Sequence, residues 1–281
     1  MRLTGATAVV TGASSGIGRA VALDLAKRGV ALALVARDAD ALEAVAGLVR
    51  QRGARVLVVS VDVSDSEAVA SAHGRIRAEL GEPDVLVNAA GCGVWKPFAA
   101  VSDAEHRRMM DVNYWGTFHW IRAALPGMRA RRRGAIVNIS SGSGKFALAV
   151  TSGYSASKFA VTGLSEALHR ELRGSGVQIS CLHPGSVKTP FWTEEKIPEA
   201  GLPPLVRYAP KLSPESVARS VRFCLWFGIP TLTTPVFVSL FAKLNAIWIR
   251  LGDLLLWKWF FPAAGAILLI RILLRRLVWP A

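Results

Sequence analysis

The chain has 281 residues, 52% of them apolar and 19% charged, which excludes a disordered chain and allows one sizeable α/β domain or two small ones. Its three cysteines, Cys92, Cys181 and Cys224, show neither metal-ligand nor disulfide spacing, so no metal is expected and a reduced, cytoplasmic compartment is the default. The net charge of +14 calls for a partner or for a solvated basic surface without one: no nucleic-acid motif appears and the basic residues are scattered, so nucleic acid is not expected, whereas anionic lipid suits the C-terminal region described below.

Ala6 to Thr11 (ATAVVT) is a short β-branched apolar run, read as a buried strand entered almost at once, with no room before it for a signal peptide. It leads straight into Gly12-Ala13-Ser14-Ser15-Gly16-Ile17-Gly18 and an amphipathic helix to about Arg28. Glycines there allow a tight turn and let the backbone approach a pyrophosphate, whose charge sits at the helix N-terminus. The loop follows a strand, opens a helix and precedes a second strand, the context such a site requires. That second strand, Ala31 to Ala36, ends where a dinucleotide site reads the adenosine ribose. An acidic residue there suits a free 2′-hydroxyl and an arginine suits a 2′-phosphate. Ala36 followed by Arg37 therefore predicts NADP(H) in preference to NAD(H), with the neighbouring Asp38 pulling the other way.

The alternation continues with a helix near 39–52, a strand at 55–60, a helix at 65–80 and a strand at 84–88. Repeated units of this length predict a parallel sheet with helices on both faces. Asp62, just past the third strand, falls where an adenine edge would be bound. Asn88-Ala89-Ala90-Gly91 ends the fourth strand with small residues that leave space for a cofactor. A helical stretch follows over about 103–131, with Asn113 inside it as a helix-poor polar residue and Arg129, Arg131, Arg132 and Arg133 at its solvated end. After the strand Ala135 to Ser140 comes Ser141, at the sheet edge where ligands bind in such folds. Tyr154 and Lys158 then stand four residues apart on a helix reaching about Gly174, which puts both on one face. An ammonium beside a phenol is expected to favour the phenolate and lower its pKa toward working pH. The strand 177–183 runs into His183-Pro184-Gly185, where His183 reads as structural; Cys92 reads as a small packed residue.

Together these residues resemble the short-chain dehydrogenase/reductase superfamily in its single-domain form, over roughly 4–192. The resemblance rests on Thr11-Gly-x-x-x-Gly16-x-Gly18, Asn88-Ala-Ala90-Gly91, Asn113, Ser141, Tyr154-x-x-x-Lys158 and Pro184-Gly185-x-x-x-Thr189. It implies a Rossmann-type doubly wound α/β/α sandwich. It implies Tyr154 as general acid/base, Lys158 as the residue that lowers its pKa and holds the nicotinamide ribose, and Ser141 as a hydrogen-bond partner of the substrate oxygen. Asn113 would hold a proton-relay water. Cofactor contacts would come from Thr11, Gly12, Ser14, Ser15, Gly16, Ile17, Gly18, Arg37, Asp62, Val63, Asn88, Ala89, Ala90, Gly91, Tyr154, Lys158, Pro184, Gly185, Val187 and Thr189.

Past Thr189 the pattern changes, and no copy of the family's last strand is evident. Phe191 to Tyr208 is expected to form a substrate lid, and Ser213-Pro214-Glu215 a helix start. The division expected is a catalytic domain over 1–220 and an apolar, basic, helical appendage over 221–281. Residues 222–281 hold five of nine tryptophans and seven Lys/Arg against the single acid Asp253. Leu254 to Ile270 is apolar except for Lys258, but its 17 residues sit at the lower limit for a bilayer span and Pro262 would kink it. A segment lying in the interface fits better, with a dimer interface or a pocket cover as alternatives. The function expected is an NADP(H)-preferring oxidoreductase of a lipophilic alcohol or carbonyl in lipid metabolism, peripheral at the cytoplasmic face of a membrane, with a homodimer allowed. The alternative is a non-catalytic NADP(H)-binding regulatory or scaffold protein.

Overall fold

The computed structural model describes residues 1–191 and 211–247. The 192–208 part of the expected lid and the tail from Trp248 onward lie outside the described residues. In chain order the elements are β1 (Thr7–Thr11), α1 (Gly16–Ala26), β2 (Ala31–Ala36), α2 (Ala39–Arg50), β3 (Val56–Ser60), α3 (Ser66–Leu80) and β4 (Val85–Asn88). There follow α4 (Asp103–Met110), a π-helical turn (Asp111–Trp115), α5 (Gly116–Ala130), β5 (Gly134–Ile139), α6 (Ser152–Glu171) and β6 (Val177–Pro184), and then α7 (Pro214–Phe227), β7 (Thr231–Thr234) and α8 (Val236–Ile247).

The strands form one parallel seven-stranded sheet in the order β3-β2-β1-β4-β5-β6-β7. Helices cover both faces, which is why β1 and β4 are apolar without alternation and buried throughout. On one face Val21 and Leu25 of α1 pack with Val217 and Val221 of α7; on the other Ile76 of α3 meets Trp120 and Ala124 of α5. Helix starts follow local chemistry: Asp38 caps α2, Asp65 caps α3, Ser102 and Glu105 form a capping box on α4, and Ser213 caps α7 ahead of Pro214.

Two features depart from expectation. A final strand does exist: β7 pairs in parallel with β6 from Cys181↔Thr231 to Pro184↔Thr234, and its sequence, TLTT, is too polar and half-exposed to announce a strand. The helical stretch 103–131 is broken at Asp111–Trp115 by a π-turn, with Asn113 inside it. Helix α7 runs through position 220, and β7 adds to the same sheet as the strands before it. No helix among the described residues is long and apolar enough to cross a membrane.

Candidate active site

The strand order reverses between β1 and β4, and a crevice opens there at the carboxyl ends of the strands. A cavity of about 560 Å³ fills it, running from the β1–α1 loop to Phe191. Of the residues expected at the site, Ser14, Ser15, Gly16, Ile17, Arg37, Asp62, Val63, Ala89, Ala90, Gly91, Ser141, Tyr154, Lys158, Pro184, Gly185, Val187 and Thr189 line it, with Gly12 and Gly18. Thr11, Asn88 and Asn113 stand behind the wall. Thr11 Oγ1 accepts the Ala89 and Ala90 N–H groups at 3.0 and 3.1 Å, tying the β4 turn to β1. Asn88 Nδ2 donates to Asn138 Oδ1 at 2.8 Å, under the cavity floor.

At the β1–α1 end the backbone forms a cradle that only glycine permits. Gly12 has φ +64°, and a Cβ on it would lie 2.8 Å from Ala90 N; a Cβ on Gly18 would lie 2.2 Å from Gly12 O. Helices α2, α3, α4 and α7 are each capped by a side chain, whereas α1, like α5 and α6, has no such cap and no acidic residue in its first turn, and its first residues line the cavity. Its first-turn N–H groups and positive dipole end are thus left for an anion.

The ribose end is set by charge. Arg37 is exposed, lines the cavity, and its guanidinium makes no hydrogen bond or ion pair among the described residues. Asp38 beside it also lines the cavity, and its Oδ1 accepts the Ala41 N–H at 2.9 Å as the α2 cap. Asp62 is engaged more heavily. Its Oδ1 accepts from Ser64 N and Oγ at 3.0 and 2.7 Å, and its Oδ2 takes Arg108 Nη2 at 2.7 Å. Partial burial works to raise its pKa, but the Ser64 bonds and the Arg108 guanidinium outweigh it and hold the carboxyl at about 2. Arg108, on α4, lines the cavity; no spacing in the sequence singles it out.

The reacting end joins β5 to α6. Ser141 leaves β5 and, together with Tyr154, which is 5% exposed, lines the inner end of the cavity. Lys158, one turn along α6, is equally buried; its Nζ donates to Ile139 O at 2.9 Å and lies 5.8 Å from the Tyr154 ring centroid. Burial works against the expected lowering of the phenol pKa: it pushes Tyr154 up to about 12, with the Ser141 hydroxyl pulling the other way, and brings Lys158 down to about 8. Desolvation disfavours the charged form of both groups.

Asn113 is fully buried. Its Oδ1 accepts Cys92 N–H at 2.9 Å, and its Nδ2 donates to Cys92 O and to Ser157 Oγ, both at 2.9 Å. Cys92 is a packed thiol pushed up by burial. His183 is fully buried, with Nε2 3.2 Å from Thr162 Oγ1 and 3.5 Å from Cys181 Sγ; burial takes it down to about 4, so it is a neutral structural ring. Two site aromatics escape a spacing argument. Trp95, 2% exposed, lies 5.8 Å from Tyr154 between ring centroids, and Phe191, the start of the expected lid, lies 5.7 Å from it. Val238 of α8 packs beside the turn after Ser141, within 3.1 Å of where a Gly142 Cβ would be.

The sequence profile described as short chain dehydrogenase matches residues 6–200. The 3-dehydrosphinganine reductase of Danio rerio is 38% identical over 200 residues, 69% of this chain and 60% of that protein. The glycine betaine reductase of Emericella nidulans is 38% identical over 227 residues, 79% of this chain and 18% of that protein. The chain thus spans less than two thirds of the length of either relative. Among solved structures, a short chain dehydrogenase/reductase of Burkholderia phymatum in complex with NAD superposes with a TM-score of 0.81 at 28% identity, covering 89% of this chain and 96% of that one. An alcohol dehydrogenase of Thermococcus sibiricus complexed with 5-hydroxy-NADP gives 0.71 at 30% identity, covering 81% and 95%.

Proposed function

The chain belongs to the short chain dehydrogenase family, and from that premise we propose that it is an NAD(P)(H)-dependent oxidoreductase interconverting an alcohol and a carbonyl on a lipophilic substrate. The observation that carries the reading is the meeting of Ser141, Tyr154 and Lys158 in the lining of one cavity, with the Lys158 amine 5.8 Å from the Tyr154 ring centroid. The residues fit a dinucleotide: the Gly12–Gly18 cradle and the uncapped start of α1 suit a pyrophosphate, and the free Arg37 guanidinium suits a 2′-phosphate, which favours NADP(H). When bound, the nicotinamide supplies or takes up the hydride.

The proton is the protein's part. A substrate oxygen placed between Ser141 and Tyr154 receives two hydrogen bonds, which stabilise the negative charge that builds on it. Tyr154, neutral up to about 12, then donates its proton to that oxygen. The phenolate left behind is stabilised by Lys158, whose ammonium persists below about 8. Carbonyl reduction is therefore level below about pH 7 and falls as pH rises through about 8, where the Lys158 ammonium is lost, whereas alcohol oxidation, which needs the phenolate, rises with pH.

At the inner end the cavity is lined by Phe191, with Trp95 packed edge-on against that ring, which suits an apolar chain, as does the name of the Danio relative, a 3-dehydrosphinganine reductase. We place the protein at the cytoplasmic face of a membrane through residues 221–281. Support comes from the tryptophan-rich, basic sequence there, from the exposed Val236 and Leu240 of α8, and from cysteines that are all free.

The deciding experiment replaces Tyr154 by phenylalanine and follows NADPH oxidation with a long-chain aliphatic ketone. Turnover is expected to fall by on the order of 10²–10⁴-fold while NADPH binding, titrated by fluorescence, stays nearly intact. A folded Tyr154→Phe protein with near-native turnover would move the chemistry elsewhere.

A further inference from the structure

The stretch from Ala89 to Pro97 has neither helix nor strand to hold it, yet it is fixed on both sides of Trp95. Before the tryptophan, both backbone polar groups of Cys92 are held by the Asn113 amide at 2.9 Å. After it, Lys96 N–H donates to Val150 O at 3.1 Å, and the Lys96 ammonium pairs with Glu105 of α4. Val150, whose carbonyl meets that N–H, has φ +60°, a left-handed setting that a β-branched residue takes only where its surroundings impose it. Between the two pins Gly93 lets the indole fold back, since a Cβ there would lie 2.4 Å from Trp95 Cη2.

The indole so placed is 2% exposed and stands tilted by 41° beside the Tyr154 ring. Phe191 meets it edge-on at 5.2 Å and 90°, and lies 5.7 Å from Tyr154. Trp95 and Phe191 thus flank the phenol, which with Ser141 and Phe191 lines the inner end of the cavity. A carbonyl that presents its oxygen to Tyr154 and Ser141 would lay one of its two substituents against that pair of rings.

We infer that Trp95 is a specificity-determining residue, whose pinned indole limits the width of the group beside the reacting carbonyl. It admits hydrogen or an unbranched methylene chain and turns away carbonyls branched on both sides. The inference rests on Tyr154 being the acid of the proposed function and deepens that reading by naming a substrate class.

The test compares two isomeric probes, di-n-propyl ketone and di-isopropyl ketone, which differ in branching beside the carbonyl and not in atom count. The kcat/KM ratio is measured for the full-length protein, Trp95→Ala, Trp95→Phe and Tyr154→Phe. The wild type is expected to prefer the unbranched isomer. Trp95→Ala should cut that preference at least about tenfold, the range one or two methyl-sized contacts command, with Trp95→Phe between the two. A merely structural tryptophan would lower both isomers in parallel, and an unchanged ratio in Trp95→Ala, or in Trp95→Phe should the alanine variant not fold, overturns the inference. Loss of turnover in Tyr154→Phe together with an unchanged ratio in the Trp95 variants overturns this inference alone. Retained turnover in Tyr154→Phe overturns it together with the reading of the site.

Discussion

Replacing Asn113 by alanine removes three hydrogen bonds at one stroke: from Cys92 N–H, to Cys92 O and to Ser157 Oγ, each 2.9 Å long. Ser157 keeps its own bond to Tyr154 O at 2.7 Å and loses only a donor aimed at it, but both backbone groups of Cys92 are left without their partner. At about 1 kcal/mol net per bond, the loss amounts to about 3 kcal/mol. With a urea m-value of about 3 kcal/mol/M for a chain of this size, the unfolding midpoint should drop by roughly 1 M. The assay is equilibrium unfolding followed by tryptophan fluorescence, run beside steady-state reduction at a urea-free temperature where both proteins are folded. Turnover should fall as well, because the same amide pins the loop that presses Trp95 against Tyr154. A midpoint within about 0.3 M of the wild type would refute the reasoning, since it would mean that the Cys92 pin contributes almost nothing.

Arg37→Glu should weaken NADPH binding at least about tenfold and relatively favour NADH, because a charge-assisted hydrogen bond to a 2′-phosphate is replaced by repulsion. Titration of both cofactors checks it, and an unchanged preference removes Arg37 from the site. Full-length protein should float with anionic liposomes and be released only partly by salt, whereas a variant lacking residues 248–281 should stay unbound. Full-length protein that ignores such vesicles at low salt would end the membrane reading.

The legible parts of this fold are those where one physical demand fills a whole run of residues. A parallel strand covered on both faces must be apolar throughout, so Ala31–Ala36 and Val85–Asn88 stand out. The cradle at Gly12 and Gly18 leaves no room for a Cβ, so the glycines appear at fixed spacing. Strand β7 carries no such run: it owes its place to the ladder with β6 and to one side only, so four residues reading TLTT suffice. Arg108 and Trp95 enter the site through partners 46 and 59 positions away, Asp62 and Tyr154, and no local pattern encodes such a meeting.

The Tyr154–Lys158 pair shows where a local reading leaves out an effect that opposes it. Spacing places an ammonium one turn from a phenol, and Coulomb attraction between such neighbours favours the phenolate. Spacing says nothing of how much protein lies over them. Trp95 and Phe191 cover Tyr154, the Lys158 amine turns to Ile139 O, and both residues end 5% exposed. Desolvation then acts against both ions together, taking the phenol to about 12 and the ammonium to about 8. The same rings that would select the substrate thus add to the phenol's own hold on its proton at neutral pH. A carbonyl oxygen arriving beside Ser141 therefore meets a loaded acid, and an alcohol arriving there meets a base still to be made.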